Sequence, residues 1–202
     1  MSEVFRPPLP ETRQPEPIIE DIAAYRENQG FTDGFRGTYT NADHSRYLYE
    51  KPSFLFDSKD AAQSTVEALR IFTDRGVFHP NTMWSIGKGE TGGYQVLASM
   101  PALEVPLGGG AIEYPSKNPK LVAVMQRLDP TVDTHDIKDG LFNEYSPLRI
   151  LNYKELSHGD NWGHDPQTGN WYLTDIEGVF VQGQQVQDIL RNTQLTHATS
   201  IS

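Results

Sequence analysis

Between Gly30 and Leu103 the chain reads as short β-prone runs, cut by glycine and Asx turns, around a single helical stretch. That order constrains the fold more than any other feature. The runs are Gly37-Thr38-Tyr39-Thr40 and Tyr47-Leu48-Tyr49-Glu50-Lys51, separated by an Asn41-Ala42-Asp43-His44 turn. A helix from about Ser58 to Asp74 follows. Thr82 to Ile86 and Tyr94 to Met100 then form two more strands, joined by the turn Gly87-Lys88-Gly89-Glu90-Thr91-Gly92-Gly93. That turn lacks the spacing and the Lys-Ser/Thr ending of a phosphate-binding P-loop.

Outside this block, residues 1 to 17 are polar and hold five prolines, a composition that does not pack a core, so a flexible leader is expected. Ile18, Ile19, Ile22, Ala23 and Tyr25 recur at helical spacing up to Gly30, which predicts a short docking helix. After Pro101, the Gly108-Gly109-Gly110 run marks a flexible joint. Residues 116 to 128 and 134 to 156 are expected to be mainly helical. The domain reading is a leader (1–17), a docking helix with a β-rich part (18–104), a second part (105–195) and a tail (196–202).

The 202 residues suit one domain, or two small lobes sharing a cleft. A formal charge of −10 argues against a nucleic-acid partner, which needs a basic face. No apolar run is long enough to span a membrane. With no Cys, thiolate metal sites and thiol nucleophiles are excluded. Neither a Gly-x-Ser-x-Gly elbow nor a His-Glu-x-x-His helix is present, which removes the commonest hydrolase readings.

The stretch that carries chemistry is Ser157-His158-Gly159-Asp160-Asn161-Trp162, followed by Leu173-Thr174-Asp175-Ile176-Glu177-Gly178. Between them, Asp165-Pro166-Gln167-Thr168-Gly169 has turn chemistry and Asn170 to Thr174 is aromatic and β-prone. A hairpin is predicted, with Asp160, Asn161 and Asp175 on neighbouring strand ends. A hard cation such as Mg²⁺ takes one or two carboxylates and completes its shell with phosphate and water. Asn161 and Asp175 suffice as protein ligands if a nucleotide supplies the rest, and Asp160 is left to orient a hydroxyl nucleophile. Asp165 stays open as the alternative to Asn161. His164 with Asp165 falls short of a zinc site.

These residues resemble the protein-kinase-like superfamily, whose catalytic loop reads His-Arg/Gly-Asp, then Asn, then Asp-Phe-Gly after the next strand pair. His158-Gly159-Asp160, Asn161 and Asp175-Ile176-Glu177-Gly178 carry the likeness. The departure is that Asn161 follows Asp160 at once, where the family places its metal Asn five residues on. The strand order from Gly30 is that of a kinase amino-terminal lobe. The resemblance implies an α+β, two-lobed fold, with an antiparallel sheet and one main helix in the first lobe and a short, mostly helical second lobe. It also implies ATP and Mg²⁺ as cofactors. Lys51 and Glu67, sixteen residues apart, take the places of the phosphate-positioning Lys and its bracing Glu. Gly30, Gly34 and Gly37, with Arg36, suggest a phosphate-covering loop, and the backbone from Met100 to Leu103 would bind the adenine edge. His158 packs structurally beneath the catalytic loop in this motif and is not a ligand.

About 24 residues follow Gly178, far fewer than a full kinase carboxy-terminal lobe, so a minimal kinase is expected. A chain this short with a Pro-rich leader resembles effector kinases that plant-associated bacteria deliver into host cells by type III secretion. What that implies is a monomeric protein Ser/Thr kinase working in the host cytoplasm on a host protein, the ninety-kilodalton heat-shock chaperone in the best-known case. Two alternatives stand beside it. One is a small-molecule kinase of choline, sugar or antibiotic type, which Asp175-Ile176-Glu177 resembles. The other is a non-catalytic pseudokinase or binding module.

Overall fold

The structure, a computed structural model, describes residues 16–32, 37–104, 119–132 and 161–176. Residues 1–15 of the leader, Gly34, Arg36, the Gly108 joint, the 134–156 segment, His158 and Asp160 lie outside the described residues. The fold is α+β. A six-stranded mixed sheet has the order β1-β5-β6-β4-β3-β2, and a two-stranded hairpin, β7-β8, stands apart from it. The sheet strands are β1 (Ile18–Ile19), β2 (Phe31–Thr32), β3 (Thr38–Asn41), β4 (Arg46–Phe56), β5 (Met83–Lys88) and β6 (Tyr94–Pro101). The hairpin is β7 (Trp162–His164) and β8 (Trp171–Leu173). The described helices are α1 (Ile22–Asn28), α2 (Lys59–Asp74) and α3 (Pro119–Leu128).

α2 forms where the sequence puts a cap, a buried stripe and a stop. The Ser58 hydroxyl accepts from the Ala61 N–H at 3.2 Å, and Asp60 sits in the positive first turn. Ala62, Thr65, Val66, Leu69, Phe72 and Thr73 recur every three or four residues and are buried. At the other end Gly76 turns left-handed at φ 73°, its N–H bonds to Thr73 C=O, and the Val77 N–H reaches Phe72 C=O. That pair of bonds is a Schellman stop. The Thr73 hydroxyl donates to Leu69 C=O and accepts from the buried Trp84 indole N–H, tying the helix to β5.

The stripe of α2 packs on one face of the sheet, against Trp84, Ile86, Val96, Ala98 and Met100. The same cluster takes in Val124, Met125 and Leu128 of α3 and Trp162, Leu173 and Ile176 of the hairpin. Arg75 donates to Leu128 C=O and Arg127 to Gly76 C=O, so the ends of α2 and α3 cap one another. On the other face of the sheet, Ile22 joins Leu48 and Leu97 in a smaller cluster.

Two expectations are corrected. Ile18 and Ile19 do not begin the docking helix but form β1, parallel to β5 in the register Ile18↔Ile86 and Ile19↔Gly87. The sheet is therefore mixed where an antiparallel one was expected. The β-branched pair satisfies its backbone on the open edge of β5, and Asp21, whose carboxylate accepts from the Ala24 N–H, starts α1 only afterwards. Lys51 lies inside β4, which runs on to Phe56 after a register irregularity between Glu50 and Leu55.

Ile22 can seat because position 87 has no side chain: a Cβ on Gly87 would stand 2.4 Å from Ile22 Cγ1. Gly87→Val should destabilise the fold by about 1–3 kcal/mol in urea unfolding, the usual scale of overpacking. Ile22→Ala in the same chain should recover part of that loss.

Candidate functional site

The predicted hairpin is present, and its register decides which polar side chains share a location. Trp162 pairs with Leu173, Gly163 with Tyr172 and His164 with Trp171. The Thr174 N–H bonds to Asn161 C=O at 2.8 Å, so Asn161 stands opposite Thr174 and beside Asp175 at the open end. Asn161 is buried and Asp175 half-buried. Asp165 is at the other end, in the turn. Its carboxylate accepts from the Gln167 N–H at 2.9 Å and the Thr168 hydroxyl at 2.6 Å, and Gly169 closes the turn at φ 72°. Of the two residues open as partner to Asp175, the hairpin brings only Asn161 next to it.

Asp175 also approaches the sheet. Burial first, and then the Asp175 charge, push the Tyr49 phenol well above the usual tyrosine range, which keeps its proton on. Tyr49 is on β4, two residues before Lys51, and packs against the main core. Its ring lies 6.4 Å from that of Tyr47, whose cross-strand partner is Met100. The Lys51 side chain is outside the described residues. Gly37, at φ 74°, accepts from the Glu50 N–H at 2.7 Å, and a Cβ there would stand 2.3 Å from Glu50 O. The chain at Gly37 therefore lies beside Glu50, the residue that precedes Lys51.

The stretch expected to hold a base edge lies against the same hairpin. Met100 is buried in the core. Ala102 N–H is taken by Ser45 C=O, and Glu104 exchanges backbone bonds with His164 at 2.9 and 2.8 Å. Leu103, between them, has no backbone partner among the described residues. Its side chain covers Gly163, where a Cβ would stand 2.5 Å from Leu103 Cβ.

Glu67 is not part of this grouping. It is exposed on α2, and the buried stripe of that helix runs along the opposite side. Gly30, at φ 71°, follows α1 and serves as its stop.

Asn161 and Asp175 thus lie just beyond the paired strand residues at one end of the hairpin, with Asn161 opposite Thr174. Among the described residues no group of three or more His, Asp or Glu gathers into a metal site. Sequence reasoning missed Tyr49 and also His79, whose Nε2 lies 3.7 Å from Asp165 Oδ2. A tyrosine in a strand and a histidine in a loop carry no spacing signal. No protein-family model matches the chain, and no curated protein or solved structure is significantly similar to it.

The Thr168 hydroxyl, then the Gln167 N–H and, more weakly, His79 hold the Asp165 carboxyl below the usual carboxylate range. A carboxyl lowered by folding contributes stability above its unfolded pKa of about 3.9 and loses it as pH falls through the folded value. Below about pH 4, the melting temperature of the wild type should therefore fall more steeply than that of Asp165→Asn.

Proposed function

We propose that this protein is an ATP- and Mg²⁺-dependent phosphotransferase whose acceptor is a hydroxyl of a protein substrate. The observation that carries the reading is the hairpin register, which puts Asn161 beside Asp175 at the end that approaches β4. The chain order supports it: three strands, a helix, then two strands, with the last strand running into a segment packed on the hairpin. Leu103 would offer its free backbone N–H and C=O to the base. Gly37 would close the loop over the phosphates beside Lys51, which would contact them.

Asn161 and Asp175 would hold the Mg²⁺, which when bound offsets charge on the β- and γ-phosphates. The remaining work belongs to the chain. In this reading the nucleotide would lie between Tyr49 of β4 and the open end of the hairpin. Asp160 would orient the acceptor hydroxyl and take its proton as the γ-phosphoryl passes from ATP to that oxygen and ADP leaves. Most of the rate advantage in such a site comes from placement and charge neutralisation. The acceptor we propose is a folded host protein, the ninety-kilodalton chaperone first among them, with the protein acting as a delivered effector kinase.

A second reading, nucleotide binding without turnover, draws on the exposure of Glu67 on α2. One experiment separates the two. Purified protein with Mg²⁺ and γ-labelled ATP should label proteins in a eukaryotic cell extract, and Asp175→Ala should lower the labelling by about 100-fold or more. Near-normal labelling by Asp175→Ala sinks the assignment. ATP binding with no label anywhere favours the non-catalytic module, and label confined to small molecules favours a metabolite kinase.

A further inference from the structure

The hairpin that presents Asn161 and Asp175 is fixed to the rest of the molecule through the loop that leaves α2. The Leu173 N–H bonds to Val77 C=O at 2.8 Å. Two residues on, the His79 ring meets Tyr172 edge-on, with centroids 4.9 Å apart and planes at 68°. Its Nδ1 accepts from the Asn81 N–H at 3.1 Å, so a neutral ring keeps its proton on Nε2. That nitrogen faces Asp165 Oδ2 at 3.7 Å, with both side chains nearly buried, 12% and 10% exposed. One imidazole thus touches the turn of the hairpin through Asp165 and its second strand through Tyr172. These contacts act from the side of the hairpin opposite its backbone pairing with Glu104 and add to the bond at Leu173.

We propose that His79 is a positioning residue for the nucleotide–metal site: it locks the orientation of the β7–β8 hairpin to the end of α2, and through the hairpin places Asn161 and Asp175. The role rests on the phosphotransferase reading of that site. It also assigns α2 its link to the chemistry, through the loop after its stop and not through Glu67. His79 itself touches no substrate.

The test measures Mn²⁺ binding in the presence of ADP by electron paramagnetic resonance, alongside hydrogen exchange at the Leu173 and Thr174 amides. His79→Phe keeps a ring against Tyr172 and removes the nitrogen that faces Asp165 at 3.7 Å. It should weaken Mn²⁺ binding about tenfold and speed exchange at both amides. His79→Gln, which keeps a donor near the Nε2 position, should recover most of the affinity. Asp165→Asn should reproduce the loss, and combining it with His79→Phe should add little, because both remove one coupling. If His79→Phe proves unstable, Asp165→Asn and His79→Gln carry the same comparison. Wild-type affinity in His79→Phe, or additive losses in the double variant, would overturn the positioning role. Absence of nucleotide-dependent Mn²⁺ binding in the wild type itself would overturn the nucleotide–metal reading, and the role with it.

Discussion

Burial of the α2 stripe against the sheet is the constraint on which the rest depends. Phe72, Leu69 and Val66 are fully buried, and they share one cluster with Trp84, Ile86, Val96 and Ala98. An amphipathic helix of 16 residues gains most of its stability from such packing and little from propensity. Once α2 is seated, its Schellman stop fixes the direction of Val77 and Phe78. Val77 offers its carbonyl to Leu173, which ties the hairpin to the same core. Placement of the polar donors is thus a consequence of apolar packing some distance from them.

The hairpin is held on two sides. Val77 and His79 grip it from the α2 loop, and Glu104 pairs with His164 where the chain leaves β6. Leu103 seals the contact because residue 163 is glycine. A three-residue strand pair has little stability alone. Here its backbone bonds continue into neighbouring loops and its aromatic side chains enter the main core, so a short hairpin can present functional groups in a fixed direction. The far face of the sheet has a separate arrangement. There Ile22 seats against Gly87. Arg26 lies over the Tyr39 ring at 4.3 Å and pairs with the partly buried Glu50 at 3.4 Å, binding α1 to β3 and β4.

Much of this was legible because it is local. The helix from about Ser58 to Asp74, the Asn41 to His44 turn, the glycine turn before Tyr94 and the Asp165 to Gly169 hairpin turn are all written in consecutive residues, and each recurs in the structure. Readings failed where a local preference met a distant partner. Ile18 and Ile19 fit the helical spacing of Ile22 and Tyr25, but an unpaired edge of β5 captured them as a strand. Nor can a sequence spacing of sixteen between Lys51 and Glu67 state which way a helix is rolled. The roll is set by which stripe is most apolar, and that stripe turns Glu67 to solvent.

The sequence by itself determined β3 to β6, α2 and the turn of the β7–β8 hairpin, with oxygen donors at both its ends, because turns and periodicity act over a few residues. Tertiary structure alone decided that Asn161 and not Asp165 adjoins Asp175, that Tyr49 meets the charge of Asp175, and that His79 grips the hairpin. Those outcomes follow from strand register and from burial against residues far away in the chain. Neither is encoded by spacing, since the same side chains could pair in another register until the core excludes it.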